Sequence, residues 1–284
     1  MGKFRHSIQS AGRFIRRYWR KHFRDRVLLK GYQEQGNEIK FVDLLSDSDL
    51  IELNDILNWN CFTVDRHGRR FGNAAWQGKR NKPEVIPDRR ILLLNDRFDL
   101  ATKHVLEFGC FEGSHTIGLC QYAKKVTAID ARIENVVKTI VRCAFFGYCP
   151  IVFKWDVEEK PLDLDLLETD VAYHIGVLYH LKDPVRHLLD LGRFIQRGLL
   201  MDTHYALEEE VRESYEVNGR VYRYKRYREP DSSEVFAGIY DHSKWLMLHD
   251  ITDSLSQAGF TKVEVIERRN ERNGPRVLLI GERQ

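Results

Sequence analysis

Between residues 104 and 130 the chain reads HVLEFGCFEGSHTIGLCQYAKKVTAID. An apolar strand runs into a turn carrying Gly109 and Gly113, a helix follows, and a second strand ends on Asp130. This is the order of a βαβ unit in an open parallel sheet, because parallel neighbours need a crossover and a helix commonly makes it. Glycines in the first turn let backbone approach a ligand closely, and an acid at the end of the second strand can accept from ribose hydroxyls. Asp130 lies 21 positions beyond Gly109, which suits such a unit. The segment therefore predicts a nucleoside site without saying which nucleoside.

The glycines narrow the choice. A dinucleotide turn requires G-x-G-x-x-G, and Phe111 and Ser114 stand at its second and third glycine positions, so NAD is disfavoured. What remains is an acid, Glu107, followed by Gly109 and Gly113. With VTAIDAR around Asp130, DVAYHIGVLYHLKDP from Asp170 to Pro184 and LLMDTHY from Leu199 to Tyr205, these residues carry a resemblance. Over residues 100 to 284 the chain resembles the class I S-adenosylmethionine-dependent methyltransferases. The resemblance implies a Rossmann-like α/β fold, a seven-stranded mostly parallel sheet with helices on both faces, and S-adenosylmethionine as cofactor. It implies that Glu107, Gly109, Cys110, Phe111 and Gly113 hold the methionine part, Asp130 the ribose and Asp156 the adenine amino group. Ile175 and Gly176 would pass beside the sulfonium. Phe111 departs from the glycine commoner at its position. The GVLYH segment, Gly176 to His180, is similar to that of the tRNA wobble-uridine carboxymethyltransferase branch, which uses a carboxylated form of the cofactor.

Composition sets the outer bounds. A chain of 284 residues, 43% hydrophobic and 31% charged, can bury one good core with a small accessory region. No apolar run approaches the roughly 20 residues of a membrane span. Five cysteines without a C-x-x-C pair read as reduced thiols in a cytoplasmic protein. Charge is unevenly spread. Residues 1 to 30 hold ten Lys and Arg against Asp25, a charge of +9, so the remainder carries −6 within the total of +3. In this arm Phe4, Ile8, Ala11, Ile15 and Tyr18 share one helical face and basic residues fill the other. Such a helix suits an anionic membrane surface, nucleic acid, or docking on its own acidic body.

Further along, residues 31 to 100 read as an accessory cap: Ser46 and Asp49 form a capping pair, and Trp59 to Trp76 mixes aromatics, glycines and arginines without a period. From residue 101 to 284 the pattern alternates. Strands are expected near 104–109, 125–130, 151–155, 170–175, 199–203, 262–267 and 275–281, and helices near 113–124, 132–146, 184–197 and 243–258. Asp183 and Pro184 make an N-cap followed by proline at the first helical position. An insertion at 205 to 242 contains Asn218-Gly219, a two-residue hairpin turn. On the strand after it Tyr222 and Tyr224 share one face and Arg223 the other, which suggests a lid that binds the acceptor through Tyr222, Arg223 and Tyr224.

Ligands of such sheets bind outside the carboxyl ends of the strands. Tyr179, His180, Asp202 and His204 follow the fourth and fifth strands and are the candidates on the acceptor side. Methyl transfer is an in-line displacement, and a hydroxyl acceptor also loses a proton, which histidine can take near neutral pH. His180 is the first choice of catalytic residue and His204 the second, with Tyr179 beside them. The histidines of this half lack metal-ligand spacing, so no metal is expected. The leading expectation is O-methylation of a small-molecule, sugar or lipid-linked hydroxyl by a cytoplasmic enzyme that the arm could bring to a membrane surface. A tRNA wobble-uridine enzyme ranks second because the body is acidic where phosphate binding wants a broad positive surface. A non-catalytic nucleoside-binding module ranks third.

Overall fold

A computed structural model describes residues 38–73, 82–160, 163–229, 234 and 236–283. The basic arm and the Ala74–Trp76 end of the aromatic stretch lie outside the described residues. Two compact units divide the chain: Met1–Ile86 with Ala144–Tyr148, and Pro87–Cys143 with Cys149–Gln284.

In the first unit the Ser46–Asp49 pair forms a full capping box on helix α1 (Asp47–Ile56), each backbone N–H meeting the other's side chain at 3.2 Å. Strands β1 (Phe62–Val64) and β2 (Arg70–Gly72) form an antiparallel hairpin. Its loop is tied by Asp65, which accepts from His67 N, Arg69 N and Arg69 Nε at 2.9, 2.7 and 2.8 Å. Phe62 and Phe71 are fully buried behind it.

The second unit holds the sheet. Its strands are β3 (His104–Phe108), β4 (Lys125–Asp130), β5 (Ile151–Lys154), β6 (Thr169–Ile175), β7 (Ile195–His204), β11 (Lys262–Glu271) and β12 (Gly274–Glu282). They lie in the order β11-β12-β7-β6-β3-β4-β5, parallel from β7 to β5, with β12 antiparallel to β7 and β11 antiparallel to β12. Helices α2 (Arg89–Phe98) and α3 (Ser114–Tyr122) cover one face, where Ile91, Leu94 and Leu119 pack on Val105, Val126 and Val171. Helices α6 (Pro184–Leu191) and α7 (Leu248–Gln257) cover the other, where Val185, Leu188, Ile251 and Leu255 meet Leu106, Phe108 and Met201. α4 (Ile133–Phe146) and the short α5 (Leu164–Leu167) complete the helices. A sheet buried on both faces needs near-continuous apolar strands, and VLLIG in β12 and LLM in β7 supply them. Among the described residues no helix is long and apolar enough to cross a membrane.

Two expected helices are shorter than their patterns suggest. The one beginning at Pro184 ends at Leu191, and the next residues turn into β7. Gly192 is the C-cap, and glycine is required there for space, since a Cβ would sit 1.9 Å from the carbonyl oxygen of Ala258. The one expected over 243–258 begins only at Leu248. His242–Leu246 instead forms strand β10, paired antiparallel with β9 (Arg220–Arg228), and its burial alternates with Ser243 and Trp245 inward. The hairpin turn is as read: β8 (Glu213–Val217) pairs with β9 across Asn218 and Gly219, whose φ angles are 52° and 79°.

Candidate functional site

The turn after β3 is held open by left-handed backbone. Gly109, Phe111 and Gly113 have φ of 70°, 52° and 81°. A Cβ on Gly109 would come within 2.7 Å of Val177 Cγ2, so glycine is required there for space as well as conformation. Gly109 N and Cys110 N both donate to Ile129 O, at 2.9 and 3.1 Å, which fastens the turn to β4. Behind it Glu112 is fully buried, accepting from Lys138 Nζ at 3.0 Å, while its carbonyl accepts from Arg142 Nε at 2.7 Å. Sequence reading passed over Glu112, since its partners lie a helix away. Cys110 is buried, and burial pushes its thiol up, so it is a packing residue in this state.

The two carboxylates singled out by the motif sit on one face of the sheet. In the register Glu107 opposes Ala128, so Glu107 and Asp130 project toward the α3 side from neighbouring strands. Glu107 is 1% exposed; Oε2 accepts from Thr116 Oγ1 at 2.5 Å, and Oε1 is buried without a hydrogen-bond partner. Burial pushes its carboxyl up to about 8, and the nearby Asp130 adds to the push. Asp130 accepts from Phe111 N at 3.1 Å, Arg132 N at 2.9 Å and Asn135 Nδ2 at 3.1 Å. Burial nonetheless holds it above the usual carboxylate range. Asp156, beyond β5, accepts from Glu158 N at 2.9 Å and from Tyr240 Oη at 3.0 Å.

At the ends of β6 and β7 lies a second cluster. Ile175 ends β6, and Gly176, at φ 76°, donates its N–H to Asp202 O at 2.9 Å. A one-turn helix at Leu178–His180 then presents Tyr179 and His180 with ring centroids 4.3 Å apart. His180 Nδ1 is 3.0 Å from Oε1 of Glu229, which also accepts from Ser243 Oγ at 2.8 Å and, through Oε2, from Gly238 N at 2.9 Å. Glu229 was missed from sequence because it lies 49 positions from His180 in the insertion. His204 is 3% exposed and stacks on Trp245 at 4.8 Å and 8°, with Nδ1 3.0 Å from Pro275 O. Burial lowers its imidazole, favouring the neutral form. Tyr179 lies edge-on to His204 at 4.8 Å and under the Arg276 guanidinium at 5.4 Å. Asp202, expected on the acceptor rim, is instead fully buried among arginines. Arg90 Nη1, Arg269 Nη2 and Arg276 Nε lie 2.8, 2.8 and 2.5 Å from its oxygens.

The insertion differs from the expected lid in one respect. Tyr222 and Tyr224 are 1% and 7% exposed and belong to the core beneath the hairpin. Tyr215 packs against both and its hydroxyl accepts from Val185 N at the start of α6. Arg223 projects the other way and pairs with Glu208. The alternation was legible, but the apolar face it produced was taken up by the α6–α7 side of the domain, where burial of two large rings outweighs an exposed stacking surface. The segment that does approach the strand tips is the return of the insertion. Phe236 lies 5.5 Å from the Phe111 ring, Arg132 Nη2 donates to the carbonyls of Glu234 and Gly238 at 3.3 Å, and Tyr240 reaches Asp156. Lys182 Nζ sits 3.4 Å above the Tyr240 ring.

No family model matches the chain. The tRNA U34 carboxymethyltransferase of Marinobacter nauticus is 29% identical over 109 residues, covering 37% of this chain and 32% of that protein. The tRNA U34 carboxymethyltransferase of Methylococcus capsulatus is 32% identical over 153 residues, covering 51% and 43%. The chain thus spans a third to under a half of the length of these curated relatives. Among solved structures, the N-terminal domain of EvdMO1 in the presence of SAH and D-fucose aligns with a TM-score of 0.68 at 23% identity, covering 84% of this chain and 98% of that one. With the strand order above, that likeness shows the Rossmann-like, methyltransferase-type α/β fold.

Proposed function

We propose that the protein is an S-adenosylmethionine-dependent methyltransferase that O-methylates a hydroxyl of a sugar or sugar-like acceptor. The observation that carries the reading is the buried, unpartnered Oε1 of Glu107 beside the Gly109–Gly113 turn, on the same sheet face as Asp130. A buried acceptor without a partner is costly unless a ligand satisfies it, and the cationic methionine end of the cofactor has the complementary charge. In this reading Glu107 and the backbone of Gly109, Cys110, Phe111 and Gly113 bind the methionine part. Asp130 accepts from the ribose hydroxyls, Asp156 from the adenine amino group, and Ile175 and Gly176 flank the sulfonium. The cofactor supplies an electrophilic methyl group; the protein aligns the acceptor and takes its proton, with His180 as base and Tyr179 and His204 forming the wall beside it. The neighbour crystallised with SAH and D-fucose supports a sugar acceptor.

The test is direct. Calorimetry with S-adenosylmethionine and SAH should detect binding that Asp130→Ala weakens about tenfold or more, and labelled methyl transfer to a panel of free sugars beginning with D-fucose should yield product. No cofactor binding would remove the reading. A second reading, carboxymethyl transfer to tRNA U34, is favoured by the similarity to the tRNA U34 carboxymethyltransferases of Marinobacter nauticus and Methylococcus capsulatus. The arm, set against an acidic body, is the part suited to phosphate or to an anionic membrane. Retardation of tRNA at low salt, lost steeply as salt rises, would support the tRNA reading and displace the sugar acceptor.

A further inference from the structure

We propose that Glu229 is a positioning residue that fixes the tautomer of His180 and so aims a free nitrogen at the acceptor, the return of the insertion holding Glu229 in place. The inference rests on the methyltransferase reading for its chemistry, but its geometry stands independently.

Every contact to the Glu229 carboxylate is an acceptor contact. Oε1 takes Ser243 Oγ–H and Oε2 takes the Gly238 N–H, at 2.8 and 2.9 Å. Burial raises the carboxyl of Glu229, but these donors and His180 overcome it and hold it below its ordinary value, so it is ionised near neutral pH. An ionised carboxylate has no proton to give. The 3.0 Å contact with His180 therefore requires the proton on Nδ1. Neutral His180 is thus the Nδ1–H tautomer with its lone pair on Nε2, and among the described residues Nε2 has no hydrogen-bond partner. The side chain of Glu229 is fully buried while that of His180 is 20% exposed, so one end of the pair is anchored and the other reaches the acceptor side.

The chemistry balances. The acceptor oxygen forms a bond to the methyl carbon as the carbon–sulfur bond breaks, and the electron pair of that bond stays on sulfur as a neutral thioether. The acceptor hydroxyl proton passes to Nε2, giving an imidazolium with both nitrogens protonated beside the Glu229 carboxylate, and later leaves to water. The carboxylate stabilises that cation and prevents the ring from turning.

The insertion controls this arrangement through Gly238. A Cβ there would lie 2.9 Å from His180 O, too close for the His180 backbone to stay in place, and 3.2 Å from Glu229 Cδ, close enough to nudge the carboxylate without removing it.

Full-length protein labelled with ¹⁵N-histidine tests this by long-range proton–nitrogen NMR, which reads the tautomer of each ring. The wild type should show His180 protonated at Nδ1. Glu229→Ala should lose that signal in favour of protonation at Nε2 and Gly238→Ala should weaken it, with the signals of His174 and His187 unchanged as a check that the fold persists. Nε2 protonation in the wild type, or an unchanged tautomer in a folded Glu229→Ala variant, would overturn the proposal. Calorimetry with S-adenosylmethionine on the same samples separates the outcomes: absent binding removes the methyltransferase reading and leaves the tautomer result standing.

Discussion

Glu107 is where the site's chemistry is most exposed to measurement. Its carboxyl moves from an ordinary 4.5 to about 8 because it is buried with one oxygen unpaired. A raised carboxyl means the folded protein keeps a proton that the unfolded chain has released between pH 4.5 and 8, so this group costs stability progressively across that window and no further above it. A cation bound against it favours the ionised form and reverses the effect. At pH 7 the proposed cofactor should therefore bind with release of about one proton, seen as a dependence of calorimetric enthalpy on buffer ionisation. Glu107→Gln should bind without that dependence. Buffer-independent binding to the wild type would mean the cation sits elsewhere. The sequence identified this residue because an acid two positions before a glycine turn is a local signal. It was silent on Glu229 and Arg276, whose meaning arises only from partners far along the chain. Phe111 is intermediate: its departure from glycine was visible, its reason was not. At φ 52° it carries strain of about 1–2 kcal/mol, set against roughly 0.5–1.5 kcal/mol from an aromatic pair such as it makes with Phe236. Phe111→Gly should accordingly change unfolding free energy by less than about 1 kcal/mol while speeding hydrogen exchange at Gly238.

Among the elements, the β8–β9 hairpin shows how period-two patterning can be read correctly and assigned the wrong face. The turn residues and the alternation of Tyr222, Arg223 and Tyr224 are all as the sequence implies. Which face meets the protein depends on where the insertion folds back, and a sequence does not encode that locally. The two faces now make opposite predictions. Tyr222→Ala removes a fully buried ring and should destabilise the protein by about 3 kcal/mol or more. Arg223→Ala removes an exposed ion pair with Glu208 and should change stability by less than about 0.5 kcal/mol. Urea denaturation of the two variants checks both, and a large loss for Arg223→Ala would show that its pair with Glu208 carries structural weight. The same reasoning explains β10. Its residues have helical neighbours in sequence, but the open edge of β9 offers backbone partners, and pairing there buries Trp245.

Across the whole second unit, Asp202 ties the carboxyl end of β7 to three separate elements, with Arg90 from α2, Arg269 from β11 and Arg276 from β12. The antiparallel pair β11–β12 is added after the parallel core, and a buried carboxylate is a strong way to fix its position, because it accepts charge-assisted bonds from both new strands at once. Sequence alone placed Asp202 at the rim, since any acid after a strand in this fold is a candidate for ligand contact. The arginines that claim it lie 112 residues before and 67 and 74 residues after it. Burial raises its carboxyl, but the arginines, Arg276 foremost, carry it below 3.8. The sign is then opposite to that of Glu107: a lowered carboxyl contributes stability that is present above its ordinary range and lost as the pH falls through the folded value. Asp202→Asn leaves guanidinium groups without their shared counter-charge and should cost about 3–5 kcal/mol at neutral pH. Because the wild type loses its own advantage when Asp202 is protonated, the gap between the two proteins should be flat from about pH 7 to 5 and narrow toward pH 3 in urea denaturation. A gap that stayed constant to the lowest pH would show that the aspartate holds the strands through shape and hydrogen bonding rather than charge.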